Sequence, residues 1–344
     1  MGYEASGSAI AALDLGTTNC RLLVARPAGA GGYRVIDSFS RIVRLGEGLE
    51  TGSVLGQAAM DRTVKALDVC AGKLAQWRVG AVRAVATEAC RRAANCAEFV
   101  ARVREETGIA LEIITAAEEA RLVLAGCMPL LDARHGHAIV FDIGGGSTEI
   151  LFVAVEAQQR LATTIRGVVS LPWGVVSLTE RFGSGAQDEA GFTAMVGLVR
   201  DQLAAFDERH AIGERVAAQD IQMLGSSGTV TTLAAIDLGL ARYDRARVDG
   251  VALDVASVRR LSAMLAAASP AERAAHSCIG PGRADLMVAG CAILTAICDT
   301  WPVPRLRVAD RGVREGILTD LLARGRMAEP AAPAPALPLV PQAG

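Results

Sequence analysis

The chain contains no G-x-x-x-x-G-K-[ST] loop and no G-x-G-x-x-G opening a helix, so the P-loop and dinucleotide-binding routes to phosphate are disfavoured. The nearest lookalike, Gly46-Glu-Gly48, lacks the third glycine and reads as a loop. The four histidines, at 135, 137, 210 and 276, form no compact metal-binding or triad pattern, which argues against imidazole catalysis. Eight cysteines (20, 70, 90, 96, 127, 278, 291 and 298) include no C-x-x-C pair and mostly lie in apolar stretches. They read as buried small hydrophobes in a reducing compartment. Of 35 basic residues only Lys65 and Lys73 are lysine. Arginine suits bidentate phosphate contacts, but genome-wide codon bias explains the excess at least as well. The longest apolar run, Leu286 to Cys298, is too short for a bilayer, which needs ~20 residues, and reads as a buried helix. The first residues are polar and carry no charged and then apolar leader, so a cytoplasmic location is expected. A formal net charge of −2 gives no general attraction to nucleic acid or to an anionic membrane. Any polyanion must therefore be held by a local cluster of donors.

What is present is glycine in two matched places. Asp14-Leu-Gly-Thr-Thr18 and Asp142-Ile-Gly-Gly-Gly-Ser-Thr-Glu149 each follow an apolar run that reads as a strand and lead into another. Glycine lets the backbone approach a ligand closely, so several N–H groups can converge on one anion. Gly144, Gly145 and Gly146 supply that freedom. Ser147 and Thr148 add hydroxyls, as Thr17 and Thr18 do in the first copy, with Asn19 beside them. Asp14, Asp142 and Glu149 offer hard oxygens of the kind Mg²⁺ prefers. Two hairpin turns with incidental polar residues are the plain alternative, and duplication weighs against it. The pattern predicts a phosphate cradle with a cation beside it.

With 344 residues, 51% of them hydrophobic, and a mean hydropathy of +0.32, the chain can bury a large core and reads as two domains. Strands are expected at 9–13, 20–25 and 34–45. A helix over 57–77 follows, with Met60, Val64, Leu67, Ala71 and Leu74 on one stripe. Then come a strand at 79–86, a helix over 98–107 opened by Asn95 as a cap, a strand at 111–114 and a helix over 116–127. Strands at 138–141, 149–155 and 161–169 repeat the scheme, before a helix with Phe192, Met195, Val199, Leu203 and Phe206 on one face. The chain thus reads as a duplicated βββαβα unit. A strand at 221–224 leads through Gly225-Ser-Ser-Gly228 into a helix from Thr229, whose amides can face an anion. A strand at 305–308 precedes a helix ending at Leu322, and the Pro/Ala-rich stretch 327–344 is expected to be disordered.

Several ordered motifs carry a resemblance: Ala12-Leu-Asp-Leu-Gly-Thr-Thr-Asn19, Ala86-Thr-Glu-Ala-Cys-Arg91, Glu118-Glu-Ala-Arg-Leu122, Phe141-Asp-Ile-Gly-Gly-Gly-Ser-Thr-Glu149, Gly174-Val-Val-Ser-Leu-Thr-Glu180, Gly225-Ser-Ser-Gly-Thr229 and Asp310-Arg-Gly-Val-Arg-Glu-Gly316. Over residues 9–322 the chain resembles the short form of the exopolyphosphatase and guanosine pentaphosphate phosphohydrolase (Ppx/GppA) family. That resemblance implies an α/β fold of duplicated actin-like (ASKHA, ribonuclease H-like) domains around an interdomain active-site cleft. The expected domains are 1–127 and 128–310, with the helix 311–323 returning to the first. It implies Glu119 as the general base for in-line water attack and Arg91 as a clamp on phosphate oxygens. It also implies Asp142 and Glu149 as metal-associated carboxylates, Gly144 to Thr148 as the phosphate loop, and Asp14 near the metal or its waters. Arg283, in Gly282-Arg-Ala-Asp285, is a further candidate for phosphate contact, with a structural ion pair to Asp285 as an equal alternative.

The expected reaction is Mg²⁺-dependent removal of terminal phosphate from inorganic polyphosphate. The runner-up removes the 5′ γ-phosphate of guanosine pentaphosphate. A kinase of the same fold, or a non-catalytic sensor of guanosine tetraphosphate or polyphosphate, are the readings from other classes. The first turn departs from the family's serine-rich wording towards that of Hsp70. The chain also lacks the helical domains that longer members add, which leaves grip on long polyphosphate open. The apolar stretch 286–298 could serve a homodimer face, with burial inside the monomer the expected use.

Overall fold

The computed structural model describes residues 8–29, 32–157 and 161–328. The expected disordered stretch falls, from residue 329 onward, outside the described residues. Two mixed sheets form the frame. The first has the order β3-β2-β1-β4-β5, from β1 (Ile10–Leu15), β2 (Asn19–Ala28), β3 (Gly32–Ile42), β4 (Ala81–Ala86) and β5 (Leu111–Ile113). The second has the order β10-β11-β9-β6-β7-β8, from β6 (His137–Ile143), β7 (Thr148–Ala157), β8 (Leu161–Leu171), β9 (Ile221–Ser226), β10 (Ala252–Asp254) and β11 (Arg305–Ala309).

Both sheets start with three antiparallel strands and continue with two parallel ones, and the second adds β10 as an antiparallel edge strand on β11. This is the duplicated actin-like topology the motifs led one to expect. β1 and β6 are central and apolar along their length because each is covered on both faces. The duplication is in register to the residue. Asp14 pairs with Arg21, which pairs with Ser40, and in the second sheet Asp142 pairs with Glu149, which pairs with Ser170.

Helices Gln57–Gln76 and Cys96–Thr107 cover one face of the first sheet through Met60, Val64, Leu67, Phe99 and Val103. In the second half, Met195, Val199, Leu203 and Phe206 of helix Glu189–His210 pack with Cys291, Leu294 and Cys298 of helix Met287–Thr300. That last helix is buried within the monomer, which leaves it no role as a subunit face. Helices Ala116–Cys127 and Val313–Ala328 share a third core with both sheets, joining Leu122, Val123, Ile317 and Leu318 to Ile10 and Val85 on one side and Val140, Leu151 and Leu224 on the other. The two helices lie so close that a methyl group on Gly126 would stand 2.2 Å from the Gly312 carbonyl oxygen.

Two local expectations change. The strand expected to reach Leu45 stops at Ile42, because Arg44 takes a left-handed φ of 48°. Asn95 precedes helix Cys96–Thr107 without capping it. Its amide instead accepts from Leu55 N at 2.8 Å and donates to Leu55 O at 3.1 Å, tying a loop to the helix start. Among the described residues, no helix is long and apolar enough to cross a membrane.

Candidate active site

The β1–β2 and β6–β7 turns meet tip to tip. A methyl group on Gly145 would lie 2.3 Å from the Thr18 hydroxyl oxygen, and one on Gly146 would lie 2.8 Å from that of Thr17. Such contacts demand glycine here for space. Two clasps bridge the halves nearby. Arg44 makes a bidentate pair with Asp285, both bonds at 2.8 Å, and also donates to the Gly282 carbonyl. Glu180 accepts from Gly48 N at 2.8 Å. Between the turns runs a cleft lined by Asp14, Gly16 to Asn19, Arg21, Glu88, Glu119, Asp142, Gly144 to Ser147, Ser227 to Thr229 and Arg283.

The two turns are built differently. Gly16 N donates to Asn19 O and closes the first, while Thr17 O and Thr18 O accept from the amides of Gly46, Val43 and Arg44. The backbone is thereby fixed, but Thr18 Oγ1 and Asn19 Oδ1 are buried with no protein partner. Buried polar atoms left unpaired are costly, and at a cleft wall they mark where a ligand is to supply the missing bonds. In the second turn the side chains are satisfied internally. Ser147 and Ser170 both donate to Glu149 Oε1 at 2.8 Å, and Thr148 Oγ1 donates to Trp173 O at 2.7 Å. Its carbonyls are occupied too, Gly145 O accepting from Val176 N at the start of helix Val175–Phe182. Among the described residues the Gly145 and Gly146 N–H groups meet no protein acceptor, and both residues line the cleft. The second turn therefore offers backbone amides, and the first offers side chains. Thr148 and Glu149 lie behind the wall and do not line the cleft.

Four acidic groups converge here. Burial, reinforced by Glu149 and opposed by Arg91, pushes Glu119 up to about 8. Burial, with Glu119 adding to it, pushes Asp142 up to about 7. Glu149 also rises to about 7 through burial, despite its two hydroxyl donors, and burial raises Asp14 although Arg21 opposes it. Groups held this way gain from a nearby cation. Among the described residues, no three His, Cys, Asp or Glu side chains form a group able to enclose a metal by themselves.

Glu119 stands in the first turn of helix Ala116–Cys127, a helix capped by Thr115 Oγ1 accepting from Glu118 N. Its neighbour Glu118 points elsewhere, into pairs with Arg83 and Arg121. Arg91, expected as a phosphate clamp, does not line the cleft. Its Nε and Nη2 donate to Glu88 Oε2 at 3.0 and 2.8 Å, and Nη1 donates to Ile114 O at 3.0 Å and to Glu119 Oε2 at 2.8 Å.

Arginines line the cleft from other elements. Arg21 comes from β2 and Arg283 from the segment before helix Met287–Thr300, while Arg314 lines a cavity continuing past Asp14 and Asp142 toward Phe39 and Tyr243. Burial depresses Arg283, with Arg21 adding repulsion. Such a mutually repelling pair is suited to an anion. Asp285 is bonded to Arg44. Arg21 and Glu88 escaped the sequence reading; the only signal for Arg21 was its place opposite Asp14 across a short turn.

The sequence profile of the Ppx/GppA phosphatase family matches residues 23–325. The chain is 29% identical over 314 residues to the guanosine-5'-triphosphate,3'-diphosphate pyrophosphatase of Aeromonas salmonicida, covering 91% of this chain and 59% of that protein. It thus spans well under two thirds of that relative's length. It is 30% identical over 326 residues to exopolyphosphatase 2 of Mycobacterium tuberculosis, covering 91% of this chain and 98% of the relative. Among solved structures, the Aquifex aeolicus Ppx/GppA family member superposes with a TM-score of 0.74 at 28% identity, over 92% of this chain and 98% of that one.

Proposed function

Since the chain belongs to the Ppx/GppA phosphatase family, we propose that it is a Mg²⁺-dependent exopolyphosphatase, releasing the terminal phosphate of inorganic polyphosphate by in-line attack of water. The observation that carries this is the meeting of unpartnered polar groups with one deeply placed acid: the Gly145 and Gly146 amides and the Thr18 hydroxyl as donors, with Asn19 Oδ1 as an acceptor, surround the space that Glu119 borders. The terminal phosphate sits between the turns, its oxygens taken by these amides and by the hydroxyls of Thr17 and Thr18, the Ser147 hydroxyl being spent on Glu149. Glu119 accepts the proton of the attacking water and so orients its lone pair on phosphorus. Arg21 and Arg283 hold the departing chain. Phosphoryl transfer asks mainly for this kind of positioning and charge neutralisation. Asp14 and Asp142, with Glu149 behind them, would hold the Mg²⁺, which when bound supplies positive charge to the phosphate oxygens. The two halves around the cleft correspond to 1–127 with 311–323, and 128–310. The eight free, buried cysteines suit a reducing, cytoplasmic setting.

A second reading, hydrolysis of the 5′ γ-phosphate of guanosine pentaphosphate, is favoured by the onward cavity. There Phe39, Tyr243 and Arg314 line space beyond the arginines that a nucleoside could enter. The test is phosphate release from polyphosphate and guanosine pentaphosphate offered in parallel to the full chain and to Glu119→Gln. The expected result is turnover of polyphosphate that drops by ~10²–10⁴-fold in the variant. Turnover of neither substrate, or full activity in the variant, overturns the proposal.

A further inference from the structure

The three charged groups Glu88, Arg91 and Glu119 form a chain, and only its two ends line the cleft. The Arg91 fork is held on both edges. One edge has two donors on the single oxygen Oε2 of Glu88, and the other has Nη1 shared between the Ile114 carbonyl and Glu119. A planar guanidinium fixed at both edges cannot swivel. Among the described residues Arg91 is the one hydrogen-bonding partner of the Glu119 carboxylate. The direction in which Glu119 faces therefore depends on Arg91, and that of Arg91 on Glu88. Glu88 is itself braced from the opposite half: a methyl group on Gly146 would lie 3.0 Å from Glu88 Cγ and 3.4 Å from its Cβ.

We propose that Glu88 is a positioning residue for the reaction: by holding Arg91 out of the cleft and against Glu119, it fixes the carboxylate that readies the water. This rests on the reading of Glu119 as general base. The arrangement makes an unusual demand, because an arginine beside a phosphate site would by charge alone turn toward the phosphate. Glu88 instead holds it through two bonds to Oε2, at 3.0 and 2.8 Å. Removing Glu88 frees Arg91 to pair with substrate, so binding holds or tightens while the chemical step suffers. A metal-holding or substrate-holding role for Glu88 would do the reverse.

The experiment is steady-state kinetics on polyphosphate with the full chain, Glu88→Ala, Arg91→Ala and the double variant, at saturating and at titrated Mg²⁺. Glu88→Ala is expected to lower kcat by about tenfold with KM unchanged or lower and the Mg²⁺ requirement unmoved. The double variant is expected to be no worse than Arg91→Ala alone, since one broken link breaks the chain. Glu88→Gln keeps an acceptor oxygen and should retain kcat within about threefold, rescuing most of the loss. It carries the test if the alanine variant does not fold. The proposal is overturned if the two losses multiply, or if either Glu88 variant acts mainly by raising KM or the Mg²⁺ requirement. Failure of the underlying reading shows separately, as undiminished turnover in Glu119→Gln.

Discussion

The two turns occupy equivalent places in duplicated sheets, yet they have divided the work between them. Asp14 faces an arginine across its hairpin, whereas Asp142 faces a glutamate at the same register. In the second copy the third strand answers with Ser170, whose hydroxyl bonds Glu149. In the first copy Ser40 stands in that row beside Arg21, and both line the onward cavity. One hairpin has become a closed, self-bonded scaffold that presents amides, and the other leaves polar atoms unpaired for a ligand. A duplicated backbone thus fixes where groups sit, and the side chains decide which are spent on structure and which are kept for binding.

The harshest way to break this pairing is to fill the contact between the tips. Gly145→Ala drives a methyl group into Thr17 and Thr18, and overpacking of this kind costs about 1–3 kcal/mol. Because the strain is relieved by parting the tips, phosphate release should fall by at least ~100-fold, consistent with the sensitivity of catalysis to small misplacements. An active Gly145→Ala enzyme would show that the tips need not meet.

A gentler pair of variants sharpens the contrast. Thr18→Val deletes a hydroxyl that bonds nothing in the protein, so the urea midpoint should hold or rise while kcat/KM drops by about tenfold. Thr148→Val strands the Trp173 carbonyl and should cost about 1–3 kcal/mol in urea unfolding while leaving kcat within about twofold. If the two variants exchange these signatures, the division of labour described here is wrong.

The smallest effect concerns pH. Glu119 near 8, and Asp142 and Glu149 near 7, are raised above ordinary carboxylate values, so their contribution to stability is full in acid and is lost as pH rises through those values. With chelator present, Tm should therefore decline by several degrees between about pH 5 and about pH 8, and Mg²⁺ should flatten the decline. A Mg²⁺-independent profile would count against a cation among these acids.

Much of this was legible in the residues, for identifiable reasons. The strand–turn–strand units announce themselves through apolar runs broken by glycine, and helix Ala116–Cys127 matches its expected bounds because Thr115 and a strict apolar stripe mark it. Side-chain aim was less accessible. Arg91 could be placed on a short helix, but nothing local says that Glu88, three positions earlier, captures it. Arg283 and Asp285 look like partners two residues apart, yet Asp285 bonds Arg44 from the other half of the chain. Thr148, in a loop of apparent phosphate ligands, turns inward because strand alternation sends its side chain to the opposite face from Ser147.

The middle layer of two helices carries a consequence for biosynthesis. Ile10, Leu122 and Val123 find their covering in Ile317 and Leu318, which the ribosome makes long after them. Until then the early half exposes a greasy seam, and closing it means bringing together segments separated by most of the polypeptide. The later half draws its own core from residues 139–308, so its segments lie nearer one another in the chain, and it can act as the template on which its elder twin is completed.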